Sequence, residues 1–360
     1  MDLRYGINPH QSARAEAVGR WPIRVVNGTP SYINLLDALN GWQLVRAAGR
    51  ALGLAAAASF KHVSPAGAAV ADGLAEAFAR ARDADPKSSY GDFVAVSEPV
   101  DAELADALGA VVSDGIVAPG FEPGVVEVLR RKKKGRFLIV EADGDFVPPA
   151  VESREVFGVR VSQEVAEPEL TAALLPGELP AGAARDLLLG LVVTRFTQSN
   201  SVCYVRDGVT IGIGAGQQSR VDCTRLAGAK ADVWWLRRHP LVRALRFRPE
   251  VRRQDRINWA IRFAEGDLTE VEWELFRGAL DSGVQVLGNR ERAAWVATLD
   301  GVAFASDGAL PFRDNVDHAR RHGVRYIAEP GGSIRSGEVE DACREHGIAL
   351  IRTGVRLFRH

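Results

Sequence analysis

Apolar and polar positions change period along the chain, and the changes read as strands and helices in turn. Residues 54–58 form a short apolar run, the mark of a buried strand. Just before it, Leu35, Leu36, Leu39, Trp42 and Val45 recur at the helical period, so a helix opens near Asn34 and runs toward Leu52. An Ala-rich helix at 74–82 follows, then a strand at 93–96. A helix merging into a strand over 103–112, a helix at 125–132 and a strand at 137–140 come next. The segments 88–92 and 113–115 read as polar turns. The stretch 142–179 is rich in Pro and Glu, with one strand-like piece at 157–161, and reads as a connection. Beyond it the alternation resumes. A helix at 183–193 leads to strands at 202–205 and 209–213 around an Asp207-Gly208 hairpin, a glycine-rich loop, and helices at 221–228, 257–264, 269–279 and 290–299. Strands alternating with helices predict a layered α/β fold in two halves, 1–150 and 151–360, without a clear sequence repeat.

Composition narrows the function classes. The chain has 360 residues, 46% hydrophobic and 25% charged, with a formal net charge of -1. That balance offers no basic field for nucleic acid, so an anionic ligand must be held by local groups. Cys203, Cys223 and Cys343 are scattered and form no Cys-x-x-Cys. They suggest neither a disulfide framework nor a zinc site, and they fit a reducing cytoplasm. The first residues show no signal peptide, and the longest apolar runs are Ala-rich or broken by Gly, so no membrane span is expected. The abundance of Ala and Arg reads as genome composition. The basic run at 130–134 reads as a solvated helix end.

Candidate chemistry centres on Ser59-Phe60-Lys61-His62-Val63-Ser64-Pro65-Ala66-Gly67. A buried strand delivers Lys61 and His62 side by side, and the Pro-x-Gly reads as the turn that stops it. Lysine supplies a fixed positive charge, and histidine moves a proton near neutral pH. Taken alone, the pair is an ordinary surface dipeptide. The run Gly212-Ile213-Gly214-Ala215-Gly216 lacks the spacing of a dinucleotide or P-loop motif and reads as a tight turn. The polar residues Gln217, Gln218, Ser219 and Arg220 after it need solvent or a ligand. Asn200 sits in a polar turn, and Asp314 reads as a helix cap. Arg4 and Arg356 are candidates for bidentate phosphate contacts. The histidines show no metal-ligand spacing, and the absence of His-x-Glu removes zinc-deaminase chemistry.

Several stretches together resemble one family. They are Arg4-Tyr5-Gly6-x-Asn8-Pro9-His10-Gln11, the Lys61-His62 motif, Thr197-Gln198-Ser199-Asn200-Ser201-Val202-Cys203-Tyr204, Gly212 through Arg220, Pro311-Phe312-Arg313-Asp314-Asn315-Val316-Asp317, and Arg356-Leu357-Phe358-Arg359-His360. In this order they resemble the formyltransferase part of the bifunctional AICAR transformylase/IMP cyclohydrolase family. The resemblance implies two three-layer α/β/α subdomains like cytidine deaminase, without its zinc. It implies transfer of a formyl group from 10-formyltetrahydrofolate to the 5-amino group of AICAR in purine biosynthesis, in a cytoplasmic homodimer with shared active sites.

Roles follow by the same resemblance. Lys61 and His62 are catalytic, with Asn200 beside the reacting groups. Arg4, Tyr5 and Arg356 bind the nucleotide and its phosphate, and Asn34 and Asp114 lie toward ribose or base. Gln218, Arg220, Asn258, Phe312 and Asp314 line the folate side. A structural potassium ion is implied at Thr197, Ser199, Ser201, Asp307 and a carbonyl near Leu357. No cyclohydrolase domain precedes Arg4, so a separate IMP cyclohydrolase is the expected partner. The segment after Gly67 is shorter than in longer members, and Lys87 replaces an apolar residue. The family's Asp-Ala-Phe-Phe-Pro-Phe reads Asp307-Gly308-Ala309-Leu310-Pro311-Phe312. One lost ring near the base removes about 0.5–1.5 kcal/mol of stacking. Competing expectations are a non-catalytic AICAR-binding sensor or scaffold, and a formyltransferase with another donor or acceptor.

Overall fold

In the computed structural model, which describes residues 1–165, 168–175 and 177–360, strand residues point alternately into two apolar layers. Ala55 and Ala57 face one layer, and Ala56, Ala58 and Phe60 face the other. The first half runs β1 (Asp2–Leu3), β2 (Ala13–Arg14), β3 (Ile23–Asn27), α1 (Tyr32–Leu52), β4 (Ala55–Lys61), β5 (Ser64–Ala71), α2 (Leu74–Ala84) and β6 (Asp92–Val96). It continues through α3 (Ala102–Gly109), β7 (Ser113–Ala118), α4 (Val125–Arg130) and β8 (Leu138–Ala142). A hairpin of β9 (Val151–Val156) and β10 (Val159–Glu164) follows, exposed along its whole length. The second half runs α5 (Ala181–Arg195), β11 (Val202–Arg206), β12 (Val209–Gly214) and α6 (Arg220–Leu236). Next come α7 (Pro240–Arg243), α8 (Arg253–Glu265), α9 (Glu270–Ala279) and α10 (Asn289–Val296). It closes with β13 (Val302–Ser306), α11 (Asp314–Arg321), β14 (Val324–Glu329), α12 (Ser336–His346) and β15 (Ala349–Arg352).

Among the described residues, eleven strands form one mixed sheet in the order β15-β14-β13-β11-β12-β5-β4-β6-β7-β8-β3. The fold is therefore α/β in three layers. Helices α1 and α5 cover one face, and α2, α3, α4, α6, α11 and α12 cover the other. The two halves meet where β5 pairs β12, and the strand pairing there is the single antiparallel match Val209↔Ala69. Helices α7 to α10 form a satellite with its own aromatic core, in which Phe276 packs against Trp259, Phe263 and Trp273. Trp235 and Trp295 stack at 5.9 Å, and each indole N–H donates to the other's carbonyl. No helix of the described residues is long and apolar enough to cross a membrane.

Several local expectations give way. The Pro-x-Gly of 65–67 makes no turn, because both residues lie within β5. Pro65 is tolerated there beside a register shift at Ser59/Phe60. Gly67 serves packing: a Cβ on it would stand 2.2 Å from the carbonyl oxygen of Ala81 in α2. The glycine run behaves likewise, since Gly212 and Gly214 are inside β12 and a Cβ on Gly212 would meet the Ala227 carbonyl oxygen of α6 at 2.0 Å. Ser113, Asp114 and Gly115 begin the strand β7. The abundance of alanine thus has a structural use, because four consecutive alanines of β4 are buried between helices on both faces.

Gly67→Ala should destabilise the chain by about 1–3 kcal/mol, since the helix α2 must move to admit the methyl group. Urea unfolding measures this, and an unchanged midpoint would show that α2 is free to shift.

Candidate active site

Strand register collects the polar groups on one edge of the sheet. Lys61 pairs with Ser64, Phe60 with Phe93, and Asp92 with Ser113. In the other half, Val202 pairs with both Gly214 and Ser306. Because β12 runs antiparallel to β5 at the Val209↔Ala69 match, the end of β12 at Gly214 lies toward the start of β5 at Ser64. The Lys61-His62 turn, Asp114, Asn200, the 214–219 loop and Asp307 therefore share an edge, on either side of the junction between halves.

On the first-half side, the Lys61 ammonium donates to the carbonyls of Tyr90 at 2.5 Å and Gly91 at 3.1 Å. The loop carrying those carbonyls is anchored beneath by a buried network. Arg82 pairs with Asp92 and donates to the Ser89 carbonyl at 2.8 Å, while Ser59 Oγ donates to Asp92 Oδ2 at 2.7 Å. Burial raises the Asp92 carboxyl above its ordinary range, against the pull of Arg82. The loop also reaches the second half, through Lys87 to Glu265 at 3.1 Å and Asp85 to Lys230 at 3.4 Å. Lys87 thus acts as a tie to α8. Asp114 pairs with Lys133 at 2.5 Å. Lys132 donates to the carbonyls of Leu108 and Val111, and burial lowers its pKa. The basic run is exposed at the end of α4 except at the half-buried Lys132, as a solvated helix end is, while Lys132 and Lys133 also tie it to the fold and the site edge.

Helix α1 contributes a polar stripe that is buried throughout. Asn34 completes a capping box, accepting from the Ser31 N–H at 3.2 Å and hydroxyl at 2.9 Å. Asp37 Oδ1 accepts the Val63 N–H at 2.6 Å, and burial pushes its carboxyl up to about 7. Asn40 Oδ1 accepts from the Arg359 guanidinium. Asp37 was not singled out from the sequence. Its signal was the spacing 34, 37, 40, three polar residues interrupting the apolar first half of the helix.

On the second-half side, Asn200 is held by its whole amide. Its Nδ2 donates to the carbonyls of Gln217 and Gln218, and its Oδ1 accepts from Arg220 at 2.6 Å. The Ser199–Asn200 peptide is cis. Arg220 is 7% exposed and spends its other nitrogen on Asp307 at 2.5 Å and Ser306 at 3.0 Å. Asp307 also accepts from the Ser201 N–H at 3.1 Å and from the Ser199 hydroxyl. The segment 355–360 closes this side: Leu357 N–H donates to the Asp307 carbonyl, and Ser199 and Arg359 exchange bonds. Thr197 donates to the Val193 carbonyl at 2.7 Å. The ring of Phe358 stands between Arg356, at 4.7 Å, and Arg220, at 5.9 Å, and it fills space that a side chain on Gly308 would need.

Arg4 stacks on Tyr5 at 4.8 Å, and backbone bonds to 30 and 32 tie both down. Asn258 is on α8 and accepts from Gln254 at 3.0 Å. Phe312 is 48% exposed under the Arg335 guanidinium. Asp314 begins α11, and its Oδ1 accepts from Asn315 at 2.8 Å. Gln218 is exposed. Leu310 is in the core, so of the two positions that lack an aromatic ring only Ala309 is partly exposed.

The α/β sheet thus gathers a lysine, a histidine and an Arg–Asp–Asn network at strand ends beside the junction of its halves, the kind of place where open α/β sheets bind ligands. Comparison with known proteins makes this specific. The family model described as AICARFT/IMPCHase bienzyme matches residues 1–230, and the chain belongs to that family. It is 30% identical over 368 aligned positions to the bifunctional purine biosynthesis protein PurH of Roseobacter denitrificans, covering 99% of this chain. The chain spans 59% of the length of that relative.

Arg220→Met should cost about 3–5 kcal/mol, because it leaves the fully buried Asp307 carboxylate without its counter-charge. Denaturant unfolding reads the loss, and a change below 1 kcal/mol would show that the carboxylate finds another partner.

Proposed function

We propose that this chain transfers the formyl group of 10-formyltetrahydrofolate to the 5-amino group of AICAR, yielding formyl-AICAR and tetrahydrofolate in cytoplasmic purine synthesis. The name of the PurH relative supports a purine pathway. The observation that carries the reading is the pairing of a fixed ammonium, Lys61, with an adjacent histidine at the strand edge shared with Asn200.

The amine of AICAR is a weak nucleophile, since its lone pair is delocalised into the imidazole ring. Attack forms a bond from that nitrogen to the formyl carbon and places negative charge on the formyl oxygen. The Lys61 ammonium, already fixed by two carbonyls, stabilises the oxyanion. His62 takes the proton from the amine. The bond from carbon to the folate nitrogen then breaks, and that nitrogen receives a proton. Asn200, locked by Arg220 and two backbone carbonyls, orients the reacting groups. Arg4, Tyr5 and Arg356 hold the phosphate end, and Asn34 and Asp114 the ribose and base. Gln218, Asn258, Phe312 and Asp314 face the folate, with Arg220 acting through Asn200.

The oxygens of Thr197, Ser199, Ser201 and Asp307 are buried and suit a potassium ion in kind, since each hydroxyl donates its proton elsewhere and keeps lone pairs. With the Leu357 carbonyl they would hold the ion, whose role would be to brace the Asn200 turn. The reading also includes a homodimer.

Purified protein mixed with AICAR and 10-formyltetrahydrofolate should produce tetrahydrofolate, and AICAR binding without turnover would leave a sensor. His62→Ala should lower turnover by about 100-fold or more with little change in AICAR affinity; an active variant would remove His62 from proton transfer. Arg356→Ala should weaken AICAR far more than its dephosphorylated riboside in calorimetric titration, and equal weakening would exclude Arg356 from the phosphate site.

A further inference from the structure

The turn that carries His62 is one that L-amino acids resist. Lys61 pairs with Ser64, so His62 and Val63 form a two-residue hairpin loop, with φ of 52° and 65°. A two-residue loop with both central residues left-handed is the type I′ turn, usually built from Asn-Gly or Asp-Gly. Valine is branched at Cβ, and a left-handed β-branched residue is a true outlier. Such a conformation is costly at each residue and persists where the surroundings over-determine it.

Here the surroundings are specific. Asp37 approaches from α1, 26 positions upstream, and its Oδ1 accepts the N–H of the strained Val63 at 2.6 Å. The carboxylate is buried, with Asp37 only 5% exposed. It faces Lys61 of β4, Asp92 at the start of β6 and Asp114 at the start of β7, the last already paired with Lys133. On the opposite side, Lys61 is pinned by the Tyr90 and Gly91 carbonyls. The turn is gripped at both ends, and His62 stands between the grips.

We propose that Asp37 is the positioning residue of this site: its carboxylate holds the His62–Val63 turn left-handed and so sets the direction of the His62 imidazole. As a statement about catalysis this rests on the formyl transfer proposed above. As a statement about the turn it stands on its own. Asp37 touches the backbone of the residue after the histidine, and its part in the reaction is exerted through that contact. A buried ionisable group in a helix is otherwise a liability, and an apolar residue would pack in its place at lower cost.

The experiment compares Asp37→Ala, Asp37→Asn and the double variant Asp37→Ala/Val63→Gly in the full chain. Alanine removes the acceptor. Asparagine keeps an acceptor oxygen without the charge. Glycine at 63 adopts the left-handed form without resistance and makes the clamp unnecessary. Two readouts are taken: kcat and KM for AICAR, and hydrogen exchange of the 61–66 segment followed by mass spectrometry. Asp37→Ala should lower kcat by about 100-fold, the scale of a catalytic group displaced by an ångström, with KM changed by less than about threefold. It should also speed exchange in the segment. Asp37→Asn should fall between wild type and Asp37→Ala on both readouts. The double variant should recover about tenfold or more of the lost kcat and restore protection. Wild-type kcat in Asp37→Ala would overturn the assignment. So would restored protection without recovered kcat in the double variant, because the carboxylate would then act on the chemistry itself. If the wild-type chain turns over no AICAR, the proposed reaction fails. The clamp is then decided by exchange alone, and unaltered exchange in Asp37→Ala would sink it.

Discussion

The contact between the Asp37 carboxylate and the Val63 N–H is the constraint around which the site is arranged. It joins the helix that covers one face of the sheet to the tip of the central hairpin, and it does so where the backbone is least willing to stay. Everything nearby is built to be rigid. The Lys61 ammonium lies on carbonyls whose loop is anchored by the buried Arg82–Asp92 pair. Asn200 has both ends of its amide engaged, and the guanidinium that holds it is itself locked on Asp307. A group that must act on a developing charge is most effective when it has no freedom to lose. Both walls of the junction follow that logic with different materials, one with strained backbone and the other with buried charge.

Much of the fold was legible in the sequence, because its strongest signals are periodic. Helix α1 declared itself by apolar spacing, and the Asp207-Gly208 hairpin by its turn residues. What was not legible depends on partners distant in the chain. The hairpin turn at His62–Val63 lacks turn residues, since Asp37 does the work that Asn-Gly does elsewhere. Gly67 and Gly212 read as turns because glycine usually means a bend, whereas here each makes room for a helix. Asp114 read as part of a loop because a polar strand start looks like a turn until its parallel neighbour is known.

The candidate residues divide in the same way. Lys61, Asn200, Arg220 and Asp307 were picked by motif, and hydrogen bonds gather the last three into one network. The part played by Arg220 emerges only in three dimensions: it is buried beneath Asn200. Phe358 and Arg359 lay in the last motif and Lys133 in the basic run, but their contacts with the site emerge only from geometry. The position of Leu310 in the core also shows that an altered motif is no measure of an altered surface.

The stitching of the 355–360 segment has a consequence for how the chain comes into being. Arg359 bonds Asn40 across 319 positions and Ser199 across 160. During synthesis, at roughly 5–20 residues per second, α1 emerges about 15–60 s before the arginine that satisfies it. Until then its inner polar face is uncovered, and the Asp307 carbonyl has no Leu357 to meet. The nascent protein can build its sheet as it grows, but the edge at Asn40, Ser199 and Asp307 stays open until the 355–360 segment arrives to stitch it.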